Sequence, residues 1–570
     1  MGSGPARASA SPDRLRAPAG GARRAAWSAA LILLAVYTAT FTGLPDVPDS
    51  EAEFQSPSAL VRNGSLALEG TPEARALTET GFGVAPGAGR GAGHVYSRYG
   101  VGQALAGVPL YLAGRALAQA WPQIEQRHAA SEAYGYPRSE YFAHLLVGWR
   151  NSLLSALTGL MIVLTAARLG ASTRCAWLGG LSYGLCTFAW PQARSTLSDV
   201  QATFLLFAAF HLFVKVREQR KQSGAISPWS LAAAGGALGG ALLTRIAVLP
   251  AVLVLGAVGC FLLASKSESN PRAARRALLA LIVPLLASAA VLVALDVVRF
   301  GHPLRTGYGV SLDPDDGFFV ASPLPGLAGL LVSPGRGLLW MAPGLLLLPS
   351  ALRAASRVGE TFWIWTLATI ALSVLVPTAY LRGWHGAWTF GPRYVLPLLP
   401  FAWVGIALAL ESSRESRTVR FAAIVLFAAG FIVQLGAALV DHATHTDLAM
   451  QAARVEWPDE PGIPQREQEE RRFERLQWDW RFAAPWAHWR IFSHRAAGSS
   501  EPFSARSLYA TRTDAALAVT HDRERGFRHL AWVDLAERLG GPRWLGFVVC
   551  GLLAGLGLAL GYRAREAGAH

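Results

Sequence analysis

Pro45-Asp-Val-Pro-Asp-Ser-Glu-Ala-Glu-Phe-Gln-Ser-Pro-Ser-Ala-Leu-Val-Arg-Asn-Gly64 follows directly on the first long apolar stretch of the chain, Ala25 to Leu44. Four carboxylates, Asp46, Asp49, Glu51 and Glu53, fall within eight positions of it. Acids that leave a hydrophobic segment at this point stand at a membrane surface, with nothing apolar to bury them. Between Ser50 and Asn63, the residues Phe54, Ser58 and Val61, with Leu60 beside them, share roughly one helical face. The spacing predicts a short amphipathic helix lying on the membrane. Asp49 and Glu51 stand at its N-terminal end, where unpaired N–H groups and the helix dipole favour carboxylates. A helix cap with an acidic first turn would account for the same residues without any chemistry, so the rest of the chain has to decide.

The 570 residues are 52% hydrophobic and 16% charged, and the mean hydropathy is +0.30. That balance describes a polytopic membrane protein, not a string of soluble domains. The formal net charge of +14 comes from arginine clusters between apolar stretches. This is the positive-inside pattern and not a nucleic-acid footprint, so nucleic acid is excluded as a partner. Cys175, Cys186, Cys260 and Cys550 lie in or beside apolar stretches without a CxxC spacing, so neither a zinc frame nor a disulfide frame is indicated.

About 20 apolar residues cross the hydrocarbon layer. Candidate spans are 25–43, 145–167, 175–190, 200–216, 231–243, 246–264, 277–298, 338–352, 362–377, 395–410, 421–440 and 544–560. The apolar stretch 101–121 is ambiguous, being interrupted by Gly107, Pro109, Gly114 and Arg115. Charge parity places it. Arg14, Arg16, Arg23 and Arg24 keep the N-terminus inside, and the later basic connections collect on that side only if 101–121 does not cross. It then belongs, as a re-entrant or surface-lying element, to a first external loop of residues 45–144. The expected organisation is a disordered cytoplasmic N-terminus (1–24), a transmembrane body (25–440), an external hydrophilic segment (441–543), and a last span with a cytoplasmic tail (544–570).

The same parity gathers nearly every unusual polar residue outside: Asp49, Glu51, Asp199, Arg245, His302, Arg305, Arg336, His385 and Arg393. Each has an ordinary explanation as a cap, a snorkelling anchor or a hydrogen-bonded structural group. Their shared side is what calls for chemistry. A carboxylate can take the proton of an attacking hydroxyl while arginine and histidine hold a phosphate leaving group. A phosphate carried on a membrane lipid would arrive at that depth.

The order of these features resembles the GT-C superfamily of membrane glycosyltransferases, which includes the protein O-mannosyltransferases and the lipid A aminoarabinose transferases. The similar stretches are Asp49-Ser-Glu51 with Leu60-Val-Arg-Asn-Gly-Ser-Leu66, Tyr96-Ser-Arg-Tyr-Gly-Val-Gly-Gln103 with Pro109-Leu-Tyr111, and Ser198-Asp199. Leu331-Val-Ser-Pro-Gly-Arg-Gly-Leu338 and Gly383-Trp-His-Gly-Ala-Trp-Thr-Phe-Gly-Pro-Arg-Tyr394 complete the set. The resemblance covers residues 25 to 440. It implies an all-α bundle of roughly twelve transmembrane helices with membrane-parallel helices in the first external loop. It also implies an inverting sugar transfer from a polyprenyl-phosphate-linked donor, on the external face of a bacterial inner membrane. Asp49 would be the general base, with Glu51 and Asp199 supporting it or Asp49 and Asp199 holding a divalent cation (magnesium or manganese). Arg245, Arg336, His385 and Arg393 would receive the donor phosphate, and Tyr96, Arg98, Tyr99 and Trp384 would line the cavity. The acceptor would be a glycan, a lipid or a protein.

In one place the chain departs from the family pattern. Many members have adjacent Asp and Glu in the first loop, whereas Ser50 separates Asp49 from Glu51 here. Second neighbours on a helix point about 200° apart, so Asp49 is the stronger candidate of the two. A transporter or lipid flippase is the competing class. It would want ionisable residues deep within spans and inverted repeats, and apart from Asp296 the spans are nearly free of acids. A bundle of this fold without activity is the third alternative.

Overall fold

The computed structural model describes residues 20–43, 47–129, 139–223, 226–264, 271–308, 319–320, 322–412, 416–497, 502–518 and 530–566. Asp46, Arg14 and Arg16 lie outside the described residues. The chain is mostly helical. In order the helices are α1 (Gly20–Thr40), α2 (Pro48–Asn63), α3 (Pro72–Thr80), α4 (Val101–Ala120), α5 (Pro122–Ala129), α6 (Tyr141–Arg168), α7 (Thr173–Leu185), α8 (Ala189–Ala193), α9 (Ser198–Ser223), α10 (Pro228–Thr244), α11 (Leu249–Ala264) and α12 (Pro271–Phe300). After these come α13 (Leu324–Val332), α14 (Leu338–Met341), α15 (Leu348–Arg357), α16 (Thr361–Ala379), α17 (Leu398–Ser412) and α18 (Arg417–Leu439). The C-terminal third holds α19 (His442–Glu456), α20 (Gln465–Trp478), α21 (Ala484–Ala496), α22 (Ala505–Tyr509), α23 (Ala531–Arg538) and α24 (Val548–Glu566). Two short antiparallel pairs join them, β1 (Val84–Pro86) with β2 (Val95–Ser97), and β3 (Phe503–Ser504) with β4 (Ala516–Leu517).

Among the described residues, seven helices are long and apolar enough to cross a membrane: 141–168, 198–223, 246–264, 271–300, 361–379, 417–439 and 544–564. Two of the remaining expected spans, 338–352 and 175–190, are not single helices. Residues 338–352 are not one helix. Ala342 adopts φ −149°, ψ 61°, and a 3-10 turn (Pro343–Leu347) follows before α15 begins, because the nitrogens of Pro343 and Pro349 cannot donate to a continuous ladder. Residues 175–190 are split between α7 and α8, and 231–243 lie in the 17-residue α10. The ambiguous stretch 101–121 is a continuous 20-residue helix, α4, packed along α6 and α2.

Among the described residues, two hydrophobic cores are much larger than the rest. The larger runs through α6, α7, α9, α10, α16 and α17 and includes Phe207, Phe210, Trp363 and Trp403. The smaller lies within the segment 441–543, where Leu448, Phe473, Phe482, Ile491 and Tyr509 pack together from α19 to α22. This second core seats α21 against α18. The last helix, α24, lies along α1.

Candidate active site

Helix α2 starts on Pro48, whose missing N–H falls where no helical partner exists, and ends on Gly64 in the left-handed conformation (φ 63°). It is not a half-exposed surface helix. Every residue from Ser50 to Ala59 is buried, between α4, the β1–β2 hairpin and α3. The close approach of the hairpin depends on Gly83 (φ +70°), where a Cβ would come within 2.8 Å of the Ala52 side chain.

Helical geometry sorts the three described acids of α2. Asp49 and Glu53 are one turn apart and face the same way, while Glu51 faces elsewhere. The Asp49 carboxylate, with 24% of its side chain exposed, accepts a hydrogen bond from Arg393 at 3.0 Å. Burial raises its pKa, but the charge of Arg393, the Tyr99 hydroxyl and the charge of Arg98 outweigh that and hold it below the usual carboxylate range. Glu53, 3% exposed, accepts from Ser198 Oγ at 2.8 Å through Oε1, and its Oε2 has no partner among the described residues. Desolvation, with the charges of Asp199 and Asp49, pushes its pKa up to about 8. It is therefore mostly protonated at neutral pH.

Asp199 opens α9 next to Ser198 and pairs with Arg245 at 3.1 Å. Asn151 on α6 positions the approach to α9, donating to the carbonyls of Ser195 and Leu197 at 2.8 Å each. Arg245 caps the C-terminus of α10 in an extended conformation. Gly100 lets the turn after Tyr99 press against that helix end, where a Cβ would stand 2.2 Å from the Leu243 carbonyl oxygen. The guanidinium groups of Arg245 and Arg393 both lie 5.0 Å from the centre of the Tyr394 ring, a cation–π contact with each. Arg393 stays fully charged, since the Tyr394, Asp199, Asp49 and Tyr99 groups together outweigh its burial. Its Nε and Nη1 have no hydrogen-bond partner among the described residues.

Five segments far apart in sequence thus meet: α2, the turn at Tyr99, the start of α9, the end of α10 and the loop before α17. Three residues of this cluster escaped the sequence reading as members of the site. Glu53 was visible as the residue one turn beyond Asp49. Tyr394 was visible only as a neighbour of Arg393. Arg150, inside the long apolar helix α6, is a buried cation whose charge reaches Glu53 and whose Nε and Nη2 are without partners among the described residues. A buried cation in such a helix is itself a signal.

The other expected members lie apart from the carboxylates. Glu51 meets His144 (3.1 Å) and Gln55 (2.6 Å), so its two oxygens are engaged on the opposite side of α2. Arg336 spends its guanidinium on Gln477 Oε1 (3.0 Å) and the Ala387 carbonyl (2.9 Å), tying two loops together. His385 accepts from the Ala387 N–H, and burial with the charges of Arg336 and Arg393 lowers its pKa to about 3. A neutral imidazole there offers no charge to a phosphate. Tyr96 packs on Phe300, and Trp384 packs into the space left by Gly329. Of the expected cavity residues, Arg98 and Tyr99 reach Asp49. His302 and Arg305 are exposed.

Neither Asp49 nor Asp199 belongs to a group of three metal-binding side chains among the described residues. Each is instead neutralised by an arginine. This donor set does not fit a divalent cation, and no step is derived through one.

Residues 110–303 match the family model described as dolichyl-phosphate-mannose-protein mannosyltransferase. The resemblance to the GT-C superfamily is borne out by that match. The matched stretch contains Arg150, Asp199 and Arg245 but neither Asp49 nor Arg393. Among solved structures, the chain is similar to ArnT from Cupriavidus metallidurans in the apo state, at 16% identity and a TM-score of 0.43, over 92% of this chain and 75% of that one. The same ArnT bound to undecaprenyl phosphate gives 14% and 0.40, over 93% and 76%. An oligosaccharyltransferase from Archaeoglobus fulgidus, tethered with an acceptor peptide, gives 13% and 0.35, over 67% and 51%. No curated protein matches the chain.

Proposed function

We propose that this chain is an integral membrane glycosyltransferase that moves a sugar from a polyprenyl-phosphate-linked donor to a hydroxyl or similar acceptor, with inversion at the anomeric carbon. The observation that carries the proposal is Arg393: a buried, fully charged guanidinium with two unpartnered donors, bonded on its third nitrogen to the partly exposed Asp49. Buried donors without acceptors are costly, and a phosphate oxygen is the acceptor that suits them.

In the reaction, the acceptor oxygen bonds to the anomeric carbon as the bond from that carbon to the phosphate oxygen breaks. The donor phosphodiester carries one negative charge, and the departing polyprenyl phosphate gains a second. Cations fixed beside it therefore stabilise the transition state more than the ground state. Arg393 and Arg245 supply that field, with Arg150 behind them. Glu53, largely protonated, keeps the cluster from being neutralised by a third carboxylate. Asp49 takes the acceptor proton. When the donor phosphate draws on Arg393, Asp49 loses part of the pairing that lowers its pKa, so donor binding makes it a better base.

The fuller reading has a body of about twelve membrane helices in a bacterial inner membrane, the N-terminus cytoplasmic and the carboxylate–arginine cluster at the external surface. Residues 441–543 would meet the acceptor. The test is incubation of the purified protein with a panel of radiolabelled polyprenyl-phosphate sugars, scoring release of lipid phosphate. Asp49→Asn should lower transfer about 10²–10⁴-fold while lipid-phosphate binding persists. Wild-type transfer by Asp49→Asn, at unchanged expression, would overturn the base assignment.

A further inference from the structure

The segment 441–543 holds a second cluster that the proposed transfer does not use. His442 and His445 lie three positions apart on α19, and His488 comes from α21. One ring nitrogen of each lies within 4.8 Å of the others. His442 Nδ1 and His488 Nε2 are already 3.2 Å apart, and the ring centres are separated by 5.1 to 5.4 Å. His445 and His488 are buried.

A hydrogen bond fixes which nitrogen of His445 is free. His445 Nε2 lies 3.1 Å from the Phe482 carbonyl oxygen, which can only accept. The proton is therefore on Nε2, and Nδ1 carries a bare lone pair. That Nδ1 has no partner among the described residues. His442 hydrogen-bonds the backbone of Thr389. His445 thus has one nitrogen held by a backbone carbonyl, which is how proteins orient imidazoles that bind metal through the other nitrogen.

We propose that His442, His445 and His488 bind one divalent transition-metal ion, zinc by preference, which clamps α19 to α21. Three imidazoles suit zinc better than magnesium or calcium, and they leave a fourth position for water. Zn–N bonds of about 2.0–2.1 Å in a tetrahedron need nitrogens about 3.3–3.4 Å apart. One pair lies close to that spacing, at 3.2 Å, and the third nitrogen is within 4.8 Å of the other two. The position matters to the neighbouring loop. The Phe390 ring lies 5.4 Å from His488 and 5.5 Å from His442. The Phe390 carbonyl is held by Gln192 at 2.7 Å, three residues before Arg393. An ion at this site would stiffen the support of that loop.

The test uses the full chain without a polyhistidine tag, purified in detergent, stripped with chelator, loaded with zinc chloride and desalted. Metal content is measured by mass spectrometry, and a cobalt(II)-loaded sample by visible absorption. We expect about one zinc per chain and the intense bands of tetrahedral cobalt. His445→Gln and His488→Gln should each lose both signals while eluting as the wild-type peak. A wild-type protein that retains no zinc after desalting and shows no such cobalt bands overturns the site, leaving a hydrogen-bonded histidine cluster only. So does equal retention by the variant carrying Gln at all three positions. The wild-type measurements decide even if a variant fails to fold, and neither readout depends on sugar transfer.

Discussion

The two faces of α2 treat the same chemistry in opposite ways. On one, Glu51 is enclosed by His144 and Gln55 with both oxygens hydrogen-bonded. On the other, Asp49 is partly open beside Arg393, and Glu53 keeps an unpartnered oxygen next to Ser198. Glu51 and Glu53 are both buried, so burial does not mark function. What separates them is whether the hydrogen-bonding capacity is used up. A satisfied buried ion pair is part of the scaffold. A buried donor or acceptor left open can take up a ligand or an ordered water.

The largest effect that would break this comparison is on turnover. On the proposed function, Arg393→Ala removes donors for the leaving phosphate, and kcat/KM should fall about 10²–10³-fold. Asp49→Asn should lower it about 10²–10⁴-fold. Glu51→Gln should stay within about threefold of wild type, since nothing it touches changes in the transition state. Equal losses at Asp49 and Glu51 in the labelled-donor assay would erase the distinction between the faces.

Stability should show the reverse order. Glu51→Ala leaves buried His144 without its partner and should cost about 3–5 kcal/mol, read from unfolding in detergent. Glu53→Gln should act in the other direction. Its folded pKa of about 8 lies above its ordinary value of 4.5. The stability linked to Glu53 is therefore complete below pH 4.5 and is lost as pH rises towards 8. The variant, which has no such group, should gain on wild type across that window, and melting curves at several pH values will show it. A gain that does not grow with pH would remove the raised pKa.

The smallest effect sharpens the coupling between Asp49 and Arg393. Because Asp49 is held below the carboxylate range, the acid limb of kcat/KM should lie low and move to higher pH in Arg393→Gln. The stability linked to Asp49 is present above its unfolded pKa and fades as pH falls below that value. An acid limb that does not move would separate Asp49 from the step.

Much of this was legible in the chain. The apolar stretches that became 141–168, 246–264, 271–300 and 417–439 are continuous helices because their hydropathy is continuous. The acids after the first apolar stretch, and Arg245 and Arg393 beside later ones, stood out as charges where plain connections need none. The rotation rule on a helix separates Asp49 from Glu51, and the same rule places Glu53 on the face of Asp49. Arg336 and His385 misled because a charged or titratable residue in a loop looks the same in sequence whether it faces a substrate or a carbonyl group. The histidine cluster had no signal, since His442 and His488 stand 46 positions apart in a segment without a recognisable motif.

By itself the sequence determined a helical membrane body, its basic connections and the acidic helix that follows the first apolar stretch. These depend on hydropathy and on neighbours within one or two turns, which a linear reading contains. Only the tertiary structure decided that Asp49 meets Arg393 across 344 positions, that Asp199 meets Arg245, and that Glu53 lies beside Ser198 without a charge of its own at neutral pH. Pairings of that kind are set by where whole helices pack and by the water they exclude, and neither is encoded in any local stretch.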